Sequence, residues 1–173
     1  MGRCFAADLT GAVRAAVRAA FLAAVLMTVT MAGQAIAACA PGAVDLRWQG
    51  GQARFSAEIA DTEALREQGL MYRDHMLATS GMLFVYAAPE HAYYWMKNTL
   101  IPLDMVFANP AGIVTAVHSN AVPGDLTPID GGDGVAYVLE INGGLAAQLG
   151  IAPGAQMRAA MIDQGQAAWA CAD

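Results

Sequence analysis

At 173 residues and 57% hydrophobic, the chain has room for one domain with a core plus a short extra segment. Its formal net charge of −6 argues against nucleic acid and anionic lipid head groups as partners. The first element read along the chain is a secretory signal over residues 1–37. Arg3, Arg14 and Arg18 supply a positive start, Ala19 to Met31 an apolar run, and Ala35-Ile36-Ala37 a small-residue cleavage pattern. The run is too short for a comfortable membrane span. What remains, residues 38–173, is expected to be a single domain with its core at about 44–162, in the periplasm or secreted, with no transmembrane span. Without the signal, six basic residues face fourteen acidic ones, a net charge of −8.

Of the three cysteines, Cys4 leaves with the signal. Cys39 and Cys171 then sit near opposite ends of an exported chain, where an oxidising compartment favours a bridge. Ile36-Ala37-Ala38-Cys39 also loosely resembles a lipoprotein signal, which would make Cys39 a lipid anchor. One sulfur serves only one of these ends.

Val44 to Trp48 alternates apolar and polar residues, Gln49 to Gln52 is a turn, and Ala53 to Ala60 resumes the alternation with Phe55, Ala57 and Ile59 on one face, which predicts a hairpin. Asp61 or Thr62 caps a short helix through Gln68, stopped by Gly69, with Leu65 inward and Glu63 and Glu67 outward. Gly81 to Tyr86 is an apolar strand. His91 to Met96 and Leu103 to Ala108 then flank a polar turn, with Pro102 suited to a strand's start. Asn109 to Gly112 turns the chain into Ile113 to His118, so an antiparallel meander is expected. Ala121 to Gly134 is the long irregular stretch. Val135 to Ile141 is a strand, Leu145 to Leu149 a helical turn ended by Gly150, and Met157 to Ile162 a last strand. This order predicts an α+β domain, mainly antiparallel β: a strongly curved sheet or small barrel with one or two short helices.

A symmetric hairpin centred between Leu100 and Ile101 would set Lys97 opposite Asp104, as an ion pair near water. In that case Asp104→Asn costs little stability, because an exposed pair contributes only about 0–1 kcal/mol. Strand parity puts Glu140 on the face of Ala136 and Val138, so Asp104 and Glu140 are the two carboxylates lodged in apolar strands. If their faces meet, one of them could serve as acid or base. Arg66, Arg73 and Lys97 lie in or beside the same segments. Together with Trp95, and with Asn98 and Thr99 at the turn, these residues make up the candidate ligand site, and Arg66, Arg73, Lys97, Asp104 and Glu140 are expected to converge. The turn residues have hydrogen bonding within the turn as their ordinary role, and Tyr93, Tyr94 and Trp95 have core packing as theirs. His75, His91 and His118 are too dispersed for a metal site, and Asp125, Asp130 and Asp133 lack a calcium-loop pattern, so no metal or cofactor is expected.

The motifs WMKNTLIPLD (95–104), GLMYR (69–73), GMLFVY (81–86), YVLEI (137–141) and LGIAPG (149–154) occur in an order that resembles the DUF192 family, also called UPF0127. The resemblance covers most of Phe55 to Met157. It implies a small, mainly β domain and brings no established activity. Three readings of function follow: an exported protein binding a small molecule or envelope component in a polar cleft around the Lys97–Asp104 hairpin, a hydrolase or lyase using Asp104 or Glu140, or a structural envelope protein whose charges only pair with one another.

Overall fold

The computed structural model describes residues 39–171; the signal reading of residues 1–37 lies outside them. Among these described residues nine strands and two short helices follow one another: β1 (Ala43–Trp48), β2 (Gly51–Ala60), α1 (Glu63–Gln68), β3 (Ser80–Glu90), β4 (Tyr93–Tyr94), β5 (Leu103–Ala108), β6 (Val114–Ala121), β7 (Ile129–Asp130), β8 (Val135–Asn142), α2 (Leu145–Leu149) and β9 (Gln156–Ala159). Seven strands form one sheet in the order β6-β5-β8-β3-β2-β1-β9, and β4 and β7 make a separate two-stranded ribbon. Pairing is antiparallel except between β2 and β3, which run parallel. The sheet is strongly curled into a half-barrel. Its outermost strands approach at one end, where Ile113 bridges Gln156 and the Met157 N–H donates to the Gly112 carbonyl.

Alternation decides which side each residue takes. Val44, Leu46, Phe55, Leu83, Val106, Val114, Leu139, Ile141 and Met157 belong to one cluster to which all seven strands contribute, as expected for the enclosed face of a curl. The opposite face of β3, β5 and β8 carries Met82, Phe84, Met105, Phe107 and Val138. It is covered by the segments holding Ala92, Met96, Ile101 and Ile129.

The β1–β2 hairpin and both helices form as the sequence predicts. The Thr62 side chain accepts the Leu65 N–H at 3.3 Å, and Gly69, with φ 48°, ends α1. α1 buries no residue, however, and Leu65 is 44% exposed instead of inward, because a single-turn helix above the sheet has little to bury against. The last strand is shorter than the sequence suggests and begins one residue earlier.

The larger correction concerns the central hairpin. The segment after Glu90 does not pair with β5; Tyr93 and Tyr94 pair with Asp130 and Ile129 of β7. β5 instead lies between β6 and β8. With two full partners, β5 has no edge to offer β4, and all six of its residues are buried. Cys39 and Cys171 form a disulfide across a sequence separation of 132, so in this structure the Cys39 sulfur is committed to the bridge. No helix among the described residues is long and apolar enough to cross a membrane.

Candidate functional site

A cleft of about 670 Å³ opens between α1, the end of β3 and the segment from Tyr93 to Thr99. β3 makes room for it. Its register against β8 slips between Val85 and Glu90, so Tyr86 to Pro89 bulge from the ladder, as suits a proline that lacks an N–H. Tyr86 and Glu90 from this bulge line the cleft, and Tyr94 and Trp95 come from the segment that crosses it.

Glu140 reaches the cleft from β8. It lies directly between Met82 of β3 and Met105 of β5 in the ladder, and neither neighbour can donate a hydrogen bond to it. The residue is 5% exposed; its carboxyl opens onto the cleft, where it keeps contact with solvent, and it has no hydrogen-bond or ion-pair partner among the described residues. Burial pushes its pKa up from 4.5 to about 8, because ionisation would place a charge among apolar side chains. Above it, the hydroxyls of Tyr86 and Tyr94 are 2.9 Å apart. Burial is the first cause raising the pKa of each, well above 10 for Tyr94, so both remain neutral donors through physiological pH.

Two cations line the same cleft. Arg66, in the last turn of α1, donates through Nη1 to the carbonyls of Asp61 at 3.0 Å and Val85 at 2.9 Å, and its guanidinium lies 5.3 Å from the Tyr86 ring centroid. Lys97 Nζ lies 5.3 Å from the Trp95 ring centroid. Such cation–ring contacts contribute about 0.5–1 kcal/mol when exposed, and they hold long side chains in place.

Of the eight residues selected from the sequence, Arg66, Trp95, Lys97, Thr99 and Glu140 meet in this cleft. Arg73 does not: it forms a two-pronged ion pair with Glu58, the Nη2–Oε2 contact measuring 2.6 Å, beside a smaller hollow. Asn98 turns outward with φ 56° and bonds the Tyr72 hydroxyl at 2.8 Å. Asp104 is on the other face. It is fully buried and accepts the backbone N–H groups of Asn120 at 2.6 Å, Gly144 at 2.7 Å and Ala146 at 2.6 Å. The expected Lys97–Asp104 pair is absent among the described residues, and Asp104 does not reach water.

The carboxylates Glu63, Glu67 and Glu90 line the cleft without having been singled out as site residues. Glu90 carried a signal, since an acid after Pro89 where an apolar run stops marks a strand leaving its ladder. No group of three or more His, Cys, Asp or Glu side chains among the described residues is placed to hold a metal ion. Asp130 and Asp133 are instead bound to the two ring nitrogens of His91, at 2.8 and 2.6 Å.

Comparison with known proteins agrees with this architecture. No curated protein matches the chain. A crystal structure of a protein of unknown function from Novosphingobium aromaticivorans is 41% identical with a TM-score of 0.66, covering 67% of this chain and 83% of that one. A second crystal structure, of a "putative transcription regulator" from Sinorhizobium meliloti, is also 41% identical with a TM-score of 0.67, covering 69% of this chain and 93% of that one. The family model DUF192, described as an uncharacterized ACR, matches residues 45–159. The chain belongs to the DUF192 family.

Proposed function

We propose that this domain is an exported binding module that takes a small organic molecule or envelope component in the cleft lined by Arg66, Trp95, Lys97 and Glu140. The observation that carries the reading is Glu140: a carboxyl 5% exposed, opening onto the cleft and left without a protein partner among the described residues. Buried polar groups are ordinarily satisfied, and one that faces a cavity of ligand size is a place where a ligand can satisfy it. The volume lies within the range of about 300–1,000 Å³ typical of small-molecule sites. Export is supported by the arginines and apolar run of residues 1–37 and by a disulfide of the kind that oxidising compartments preserve. The role printed for the Sinorhizobium protein transfers poorly, because an acidic surface repels nucleic acid.

The test is a ligand-detected NMR screen of small organic compounds against the purified protein, followed by amide shift mapping. Shifts centred on Trp95, Lys97 and Glu140 are expected. Binders that map to the Arg73–Glu58 hollow, or a library without binders, would remove the reading.

A second reading follows from the proton on Glu140. A carboxyl with a pKa of about 8, sharing a cleft with Glu63, Glu67 and Glu90, has the makings of an acid–base pair for a hydrolase or lyase. Asp104 plays no part in it, being engaged by three backbone amides on the opposite face. Turnover of chromogenic glycosides or esters that falls at least about 100-fold in Glu140→Gln would establish it. Turnover that persists in that variant would exclude it.

A further inference from the structure

The charge pattern of the cleft narrows the class of occupant, given the proposal that the cleft binds a ligand at all. Six acidic or basic side chains line it: Glu63, Arg66, Glu67, Glu90, Lys97 and Glu140. Although both signs share one cavity, none of the six forms an ion pair among the described residues. Elsewhere the protein pairs its charges readily. Asp45 holds both Arg54 and Arg158, and Glu58 holds Arg73.

The separation has identifiable causes. Arg66 is tethered to two backbone carbonyls and the Tyr86 ring, Lys97 lies over Trp95, and Glu140 is recessed between two methionines. Acidic and basic groups are therefore displayed without pairing with one another. A ligand of one sign would cover the other sign's groups without pairing them, which is costly once water is displaced. A neutral polyol would leave both sets uncompensated. A molecule with one charge of each sign satisfies both.

We infer that the cleft takes a zwitterion of the amino-acid type, a free amino acid or short peptide, with its ammonium seated on Glu140 and its carboxylate turned toward Arg66 and Lys97. The recessed carboxyl suits a compact ammonium, and the guanidinium suits a planar carboxylate.

Proton traffic distinguishes this occupant from others. In the empty cleft Glu140 carries its proton at neutral pH. When an ammonium arrives, its N–H groups donate to the ionised carboxylate and the Glu140 proton passes to solvent, so one positive charge enters and one proton leaves. The groups that line the cleft with Glu140 are the neutral Tyr86 and Tyr94 hydroxyls and Glu90 from the β3–β4 region, Glu63, Arg66 and Glu67 from α1, and Lys97 and Thr99 from the crossing segment. None of them donates a hydrogen bond to Glu140 among the described residues, so the ligand supplies the first.

Isothermal titration calorimetry with alanylalanine, in buffers of different ionisation enthalpy, tests the inference on the intact protein. Expected are release of about one proton per peptide at pH 7, and an affinity that rises about tenfold from pH 6 to pH 7. The affinity should peak near pH 8, where the peptide's own ammonium begins to lose its proton. N-acetyl-alanylalanine and alanylalanine amide, each lacking one charge, should bind at least about tenfold more weakly. Glu140→Gln should abolish proton release and remove its share of the rise with pH; Arg66→Met should weaken alanylalanine but not its amide. The wild-type comparison needs no variant to fold. Equal binding of the acetylated peptide, binding without proton release, or no binding of alanylalanine would overturn the zwitterion. A neutral or singly charged compound that maps to the cleft in the NMR screen would still leave the binding module standing.

Discussion

Asp104 and Glu140 project from neighbouring strands to opposite faces of one sheet. In the β5–β8 ladder Asp104 stands across from Ile141, and Met105 across from Glu140, so the two buried carboxylates have unlike surroundings. Asp104 is saturated by backbone N–H groups and holds β6 and the start of α2 against β5, whereas Glu140 is left to the cleft. One serves the fold, and the other is free to serve a ligand.

Replacing Asp104 by Asn should therefore be costly. An amide offers a single acceptor oxygen and turns an NH₂ group toward the remaining donors, leaving buried N–H groups unmatched. A loss of about 3–5 kcal/mol in chemical denaturation is expected, where an exposed pair would have lost about 0–1. Lys97→Met should cost little, and the double variant should show a coupling below about 0.5 kcal/mol, because the two residues do not touch. Strong coupling between them would contradict the geometry.

Glu140 should make stability fall as pH rises from 4.5 to about 8. Its pKa is about 8 folded against 4.5 unfolded, so below 4.5 both states hold the proton and the group is neutral to stability. Between 4.5 and 8 the unfolded chain gives up its proton and the folded chain does not. The native state thereby loses ground with rising pH, by about 3–5 kcal/mol in all. Glu140→Gln should match the wild type near pH 4 and exceed it by about 3–4 kcal/mol at pH 8. Parallel denaturation curves of the two proteins across this range would refute the raised pKa.

The β4–β7 ribbon should tighten in acid. With a carboxylate on each ring nitrogen, His91 donates to both only as the imidazolium, and Asp133 and then Asp130 raise its pKa above 6.5 against desolvation. The stabilisation is complete below the unfolded pKa and is lost as pH passes the folded value. Amide exchange in residues 121–134, corrected for intrinsic pH dependence, should be slower at pH 6 than at pH 8 in the wild type. His91→Gln should erase the difference.

Reduction should weaken the whole domain. A bridge across 132 residues is worth up to about 4–5 kcal/mol on the chain-entropy view. A Cys39→Ser, Cys171→Ser double variant should melt several degrees lower while keeping the β-sheet circular dichroism signal. An unchanged melting temperature would show that the unfolded chain is already held compact.

Local chemistry made some of this architecture legible in the sequence. Gly50-Gly51 between two alternating runs marked the first hairpin, Thr62 and Gly69 bounded α1, and parity placed Glu140 on the face of Val138, although Ala136, expected there too, packs in the enclosed cluster. The Lys97–Asp104 hairpin failed because a polar turn between apolar runs is compatible with pairing and does not compel it; Tyr93 and Tyr94 found their partners about 35 residues later, at Ile129 and Asp130. The parallel β2–β3 pairing is likewise non-local and leaves no turn signature. The cleft was half visible for the same reason. Its individual residues stood out, but its walls come from α1, β3, β8 and the crossing segment, and only the fold brings these together.

The pairing of β1 with β9 bears on how the chain folds in time. Val44 pairs with Ala159, so the first strand of the sheet keeps one edge open until nearly all of the domain has been delivered. A chain emerging from its N-terminus can assemble the β1–β2 hairpin early but cannot close the curl before Gln156 to Ala159 have appeared. Folding is thereby set to completion instead of proceeding strand by strand, and the same late event brings Cys171 to Cys39. Stalled chains ending before Gln156 should remain protease-sensitive, and those extending beyond Cys171 should become resistant in one step.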